Sequence, residues 1–152
     1  MKTYRLAKQN FALDLSGKGA ELSGGRWNSK GVSVVYTSQS RALCLVEIAV
    51  HVPVGIVPMN YFLTEIEIPD EIEFYPVSEK NLPHDWNSFL HSPFTQKIGD
   101  DFVAANKFLI LKVPSAVVQG DFNYLINPKH PDFGLLKVIQ TEPFTFDKRL
   151  FT

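Results

Sequence analysis

From Tyr61 to Ile68 the chain alternates. Phe62, Thr64, Ile66 and Ile68 fall on one face and Glu65 and Glu67 on the other. That two-residue period predicts a strand, and the two glutamates predict that its second face meets water. Phe108–Val113 and Phe122–Ile126 are short apolar runs and predict two more strands, the first of them central in its sheet. Val32–Tyr36, β-branched and apolar, predicts another, with shorter ones at Thr3–Ala7 and Glu71–Tyr75. Leu135–Gln140 and Pro143–Phe146 are expected to pair as a terminal hairpin. Helices are expected where the period lengthens. Thr37-Ser38-Gln39-Ser40 supplies caps for a helix from Arg41 to Val52 that Pro53 stops, and Asp85–His91 and Pro93–Asn106 read as helical. Strands outnumber helices and do not alternate with them, which predicts an α+β fold rather than a doubly wound parallel sheet. A chain of 152 residues predicts one domain, spanning 1–152.

Composition changes this picture at three points. Gly17, Gly19, Gly24, Gly25 and Gly31 crowd one stretch, which predicts tight turns rather than regular structure. The net charge of -1 gives no support to direct nucleic-acid binding, which needs a positive surface. Cys44 is the one cysteine, so no intrachain disulfide can form, and its apolar neighbours predict a small buried hydrophobe. No apolar run approaches a membrane span or a signal peptide, so the cytoplasm is the expected location.

Glu47 is the most informative residue. It sits in the predicted helix among Leu43, Leu45, Val46, Ile48, Ala49 and Val50, and shares a face with positions 43, 50 and 51. A carboxylate on such a stripe is either ion-paired to an arginine from another segment or functional. His51, one turn on, raises the question of a metal, but no third ligand stands out, and packing or capping is the expected role. Gly24-Gly25-Arg26-Trp27-Asn28 combines a close-approach glycine pair with a guanidinium fork, a packing or stacking ring and a two-way hydrogen-bonding amide. It lacks the Lys-Ser/Thr ending of a phosphate loop. Arg5 alone reads as an edge arginine, Tyr36 as a half-buried core residue and Ser115 as a turn cap. No nucleophile elbow or Ser-His-Asp order accompanies Ser115.

Taken together, these stretches resemble the RES domain family. They are Tyr4-Arg5, Gly17-Lys18-Gly19-Ala20, Gly24 to Asn28, Gly31 leading to Tyr36-Thr37-Ser38, and Ala42-Leu43 through Glu47 with His51. Val113 to Val117 and Asn123 to Pro131 complete the pattern. The resemblance implies an ADP-ribosyltransferase-like fold with a split mixed sheet and flanking helices. It also implies a toxin of a toxin–antitoxin pair that cleaves NAD⁺ at the nicotinamide–ribose bond, by hydrolysis or phosphorolysis. ADP-ribosyl transfer to a protein or nucleic acid is the alternative, and a non-enzymatic nucleotide- or partner-binding module a second. By position the active-site set is Arg5, Arg26, Tyr36, Glu47 and Ser115. Glu47 would stabilise charge on the ribose, Arg5 and Arg26 would hold the pyrophosphate, Tyr36 would stack, and Ser115 would orient the nicotinamide end or Glu47. Asn28 and Asn123 would add hydrogen bonds to NAD⁺. No cofactor or metal is implied, NAD⁺ being the substrate. The implied partner is a helix-turn-helix antitoxin of the Xre class, in a hetero-oligomer or beside a toxin homodimer.

Overall fold

The computed structural model describes residues 1–152. Seven strands form one sheet: β1 (Lys2–Lys8), β2 (Val35–Ser38), β3 (Tyr61–Glu67), β4 (Phe74–Pro76), β5 (Ile110–Pro114), β6 (Phe122–Ile126) and β7 (Lys137–Phe144). Their order is β4-β5-β6-β2-β1-β3-β7. Every neighbouring pair is antiparallel except β4 and β5, which a crossover through helix α3 (Pro93–Ala105) makes parallel. The fold is therefore α+β with a mixed sheet, as the pattern predicts.

The sheet is split. β1 pairs with β3 over its whole length, from Lys2↔Glu67 to Lys8↔Tyr61, and β2 pairs with β6 from Val35↔Ile126 to Ser38↔Asn123. Between β1 and β2 the register holds only at Tyr4↔Ser38. Side chains reinforce that junction. The Thr3 hydroxyl bonds Thr37 Oγ1 at 2.6 Å and the Ser38 carbonyl at 2.9 Å, and the Cys44 thiol donates to the Tyr4 carbonyl at 3.1 Å. Helix α2 (Arg41–Ala49) lies against the split, with Leu43 and Cys44 buried. Ser40 caps it by accepting from the Leu43 N–H at 3.1 Å. The helix ends earlier than Val52, because His51 and Val52 bond back three residues in a tightened last turn.

Apolar side chains fill three clusters. Trp27, Trp86 and Phe102 pack with Leu111, Val113 and Leu125. Ile66, Ile68, Ile110 and Ile126 form the second cluster with Val35, Leu109 and Tyr124, and Leu6, Cys44, Leu63, Phe146 and Phe151 the third. No helix is long and apolar enough to cross a membrane.

Five expectations need correction. The glycine-rich stretch contains a short helix, α1 (Lys18–Ser23), bounded by Gly17 and Gly24 at positive φ, so glycines set its ends instead of preventing it. Glu65 does not meet water. It is 4% exposed and bonds Lys2 at 2.6 Å, Arg41 at 3.1 Å and Gln140 at 3.3 Å, because β1, β7 and α2 bring polar groups over that face. The Lys2 bond above all holds the Glu65 carboxyl below its ordinary pKa. Asp85–His91 is turns and bends, not helix. Its N–H groups bond back only three residues, Trp86 to Pro83 and Ser88 to Asp85, and the Trp86 and Ser88 carbonyls are taken by Arg26 instead of by a following helical turn. The C-terminal residues form no hairpin. β7 is one strand against β3 with a register shift at Glu65/Ile66, and Pro143 is tolerated because β7 is an edge. Finally, β5 lies one strand in from the opposite edge rather than at the centre, although it is buried.

Gly99 tests how α3 is seated. A β-carbon there would lie 1.6 Å from the Trp27 carbonyl oxygen. Gly→Ala inside a helix ordinarily stabilises by roughly 0.5–1 kcal/mol, whereas overpacking costs about 1–3 kcal/mol. Gly99→Ala is expected to lower the urea midpoint; a raised midpoint would show that α3 does not press on the Trp27 loop.

Candidate active site

Where β1 and β2 part, three adjoining cavities open along one cleft. Tyr36 and His51 line all three, Arg5 lines the first two, and Glu47 lines the second and third. The split places β1 on one wall and β2 on the other, and α2 carries Glu47 between them.

Glu47 is held by one oxygen. Its Oε1 accepts from the Ser115 hydroxyl at 2.8 Å and from the Asn123 amide at 2.7 Å. Both donors are themselves fixed. Ser115 Oγ accepts from the N–H groups of Val117 and Val118 at 3.1 and 3.0 Å, and Asn123 Oδ1 accepts from the Ser38 hydroxyl at 2.7 Å. Ser115 is thus a turn cap and a partner of Glu47 at once. No arginine bonds Glu47, and Oε2 has no protein donor. Since no buried side-chain oxygen lacks a partner, Oε2 faces the open cleft.

The two arginines flank this carboxylate differently. Arg26 lines the third cavity with Glu47 but spends two donors on the protein, Nη1 to the Trp86 carbonyl at 2.7 Å and Nη2 to the Ser88 carbonyl at 2.9 Å. Partial burial lowers its pKa, and the Glu47 carboxylate opposes that shift; at any working pH the guanidinium stays charged. Arg5 points from β1 into the junction of the first two cavities, and its Nη1 bonds the Phe11 carbonyl at 2.8 Å. Burial lowers its pKa too, with Asp14 opposing.

Tyr36 closes the wall between them. Its hydroxyl accepts from the Trp27 N–H at 3.0 Å and donates to Asn28 Oδ1 at 2.7 Å. Burial raises the phenol pKa well above its usual range, so it remains a protonated donor. Asn28, expected to contact a ligand, is sealed behind it at 0% exposure. Its amide donates to the Ala20 and Val32 carbonyls at 2.9 and 3.0 Å, so it shapes the loop and does not reach the cleft.

Of the residues singled out in the sequence, Arg5, Arg26, Tyr36, Glu47 and Asn123 therefore meet at one cleft, and Ser115 stands directly behind Glu47. Sequence reasoning missed His91, Asn87 and Phe89, which line the third cavity, and Ser38, which fixes Asn123. His91 is pushed to a lower pKa by burial and then by Arg26 and His51. His51 was visible only through its one-turn spacing from Glu47. No group of three or more potential metal ligands converges in the chain. Cys44, buried as expected, has its thiol pKa raised to about 11 by that burial.

These features define a single α+β domain whose split sheet builds a cleft around an anchored carboxylate. The profile of the RES domain matches residues 2–147, and the chain belongs to that family. Among its relatives, the Prs ADP-ribosylating toxin of Sphingobium sp. (strain YBL2) is 38% identical over 95% of this chain and 91% of its own. Toxin Res of Yersinia enterocolitica is 34% identical over 99% of each chain. The fold is also that of a chain in the crystal structure of the M. tuberculosis MbcT-MbcA toxin-antitoxin complex. That likeness has a TM-score of 0.76 at 21% identity and covers 95% of this chain and 84% of that one.

Because Ser115 and Asn123 meet on one oxygen of Glu47, their contributions should be coupled. In urea unfolding, Ser115→Ala is expected to cost about 1–2 kcal/mol, since it strips an acceptor from two backbone N–H groups as well. The double variant Ser115→Ala/Asn123→Ala should depart from the sum of the singles by about 0.5 kcal/mol or more. Additivity would mean the two side chains do not share Glu47.

Proposed function

We infer that this chain is a toxin that cleaves NAD⁺ at the nicotinamide–ribose bond and is held in check by an antitoxin. The observation that carries the reading is the state of Glu47: one oxygen locked by Ser115 and Asn123, the other free in a cleft flanked by two guanidinium groups. The bond between ribose C1′ and nicotinamide breaks with its electron pair leaving on the nicotinamide nitrogen, which neutralises the pyridinium. Positive charge grows on C1′ and the ring oxygen. A fixed carboxylate beside that ribose stabilises the charge and can accept from its hydroxyls. An acceptor oxygen then bonds C1′ and gives up its proton to solvent in the open cleft. Arg5 would hold the pyrophosphate through the donors that Phe11 does not occupy, and Tyr36 would face the ribose or nicotinamide. Arg26 would act chiefly through its charge and by fixing the 86–88 segment, its fork being engaged there. The reaction needs no cofactor or metal beyond NAD⁺ itself.

The relatives support this chemistry. One is named an ADP-ribosylating toxin, and ADP-ribosyl transfer from NAD⁺ breaks this same bond. That name also favours the second reading, transfer to a protein or nucleic-acid acceptor; water or phosphate would simply take the acceptor's place. A comparison of free nicotinamide released with ADP-ribose attached to macromolecules separates the two. The partner reading draws on the MbcT-MbcA toxin-antitoxin complex, and the Xre-class helix-turn-helix identity on the family resemblance. An enzyme that consumes NAD⁺ in the cytoplasm must be occluded until released.

Glu47→Gln keeps the shape and removes the charge. If the carboxylate acts on the developing cation, kcat should fall while NAD⁺ affinity persists. Loss of one such contact costs about 3 kcal/mol, roughly a hundredfold in rate. NAD⁺ consumption and melting temperature are read on the same samples. A folded Glu47→Gln protein with unimpaired NAD⁺ cleavage would remove Glu47 from the mechanism.

A further inference from the structure

A cavity of about 700 Å³ on this cleft is larger than either of the two that Glu47 lines. It lies on the other side of Arg5, between the end of β1, the 3-10 turn Gln9–Phe11, α1 and β2. Its size is that of a small-molecule site. Bond cleavage at Glu47 uses only the nicotinamide riboside end of a dinucleotide and leaves this space unassigned. The geometry points to it as the seat of the adenylate half, with the Phe11 ring as the surface on which the adenine stacks. This rests on NAD⁺ being the substrate.

Three observations carry the assignment. The first is order along the cleft. Arg5, Leu6, Tyr36, Ile48 and His51 line both the Glu47 cavity and the large one, whereas Glu47 lines the former and not the latter. A dinucleotide whose scissile bond lies at Glu47 and whose phosphates run to Arg5 reaches the large cavity after it, whereas one running to Arg26 would enter the third cavity instead. The second is the state of Arg5. Its Nη1 is fixed on the Phe11 and Ala12 carbonyls at 2.8 and 3.4 Å. No buried side-chain nitrogen lacks a partner, so its other N–H groups are open to solvent on the cavities that Arg5 lines, where a pyrophosphate would pass. The third is Phe11. The residue is 56% exposed and lines the cavity, while its carbonyl is tied to Arg5. An aromatic ring held half in water on a fixed backbone is a ready stacking surface for a base. Lys8 and Arg5 line the same cavity and outweigh Asp14, Lys18 being paired with Glu21 at 3.1 Å, so its charge suits a nucleotide rather than a cation.

The test uses the two halves of the substrate as separate probes on the full chain. Isotope-labelled protein is titrated with AMP and, in a second series, with nicotinamide mononucleotide, and amide shifts are followed by NMR. AMP is expected to move the amides of Phe11 and of Gly17 to Gly24 most, and nicotinamide mononucleotide those near Glu47 and His91. Phe11→Ala should weaken AMP binding about tenfold, the loss of about 1.4 kcal/mol of base–aromatic stacking, and Phe11→Trp should restore it. Phe11 is exposed, and retention of the spectrum's dispersion checks that each variant is folded. AMP shifts centred on Asn87 to His91, an unchanged AMP affinity in folded Phe11→Ala, or no AMP binding at millimolar concentration would each overturn the assignment. AMP has no bond for Glu47 to cleave. Failure of wild-type protein to consume NAD⁺ would therefore count against the reaction alone, and failure of the AMP result against the subsite alone.

Discussion

Between β1 and β2 the backbone ladder stops at Tyr4 and Ser38, and the function we infer depends on that interruption. A continuous ladder would bring Leu6 opposite Tyr36 and close the sheet over the space the substrate needs. Instead the two halves are joined at one end by Thr3, Thr37 and the Cys44 thiol, and part beyond it. Arg5 is left on one lip and Tyr36 on the other. A split sheet exposes unpaired backbone, which is costly unless something covers it. α2 is that cover, and its buried Leu43 and Cys44 seat it on the gap. Glu47 follows from this placement. A helix laid over a split must direct one residue per turn toward the opening, and here that residue is a carboxylate.

Two polar networks keep the cover in register. At the start of α2, Arg41 reaches Glu65 on β3 and Glu142 on β7, at 3.1 and 2.7 Å, and ties the helix to the β1–β3 half. Near its end, Glu47 reaches Ser115 after β5 and Asn123 on β6, and ties it to the other half. The carboxylate of the cleft is thus also a strut. That economy explains why its two oxygens differ: one does structural work, and the other is left without a protein donor at the cleft. Arg26 shows the same division, since its fork fixes the Trp86–Ser88 segment while its charge remains at the cleft.

Much of this was legible in the sequence because its signals are local. Ser40 before an apolar run announces a capped helix, an isolated Glu47 on that helix announces a function or a pair, and alternation around Tyr61–Ile68 announces a strand. What failed depends on contacts made at long range. Glu65 reads as solvated until Lys2, Arg41 and Gln140 arrive from three other elements. The 85–91 segment reads as helical until Arg26, some sixty positions earlier, takes its carbonyls. Asn28 reads as a ligand contact because its residue type permits it, and only the loop's closure behind Tyr36 shows every donor already used. His91 and Phe89 carry no pattern at all; they reach the cleft because Trp86 anchors their loop in the core.

The account stands on the free oxygen of Glu47 facing the reacting ribose. The most direct measurement is a crystal structure of the wild-type chain with a dinucleotide in which carbon replaces the glycosidic nitrogen, so that no cleavage occurs. The account predicts the nicotinamide-side ribose within hydrogen-bonding distance of Glu47 Oε2, with Oε1 still held by Ser115 and Asn123. A dinucleotide bound with that ribose away from Glu47, or with Oε1 released and no carboxylate oxygen on the sugar, would contradict it.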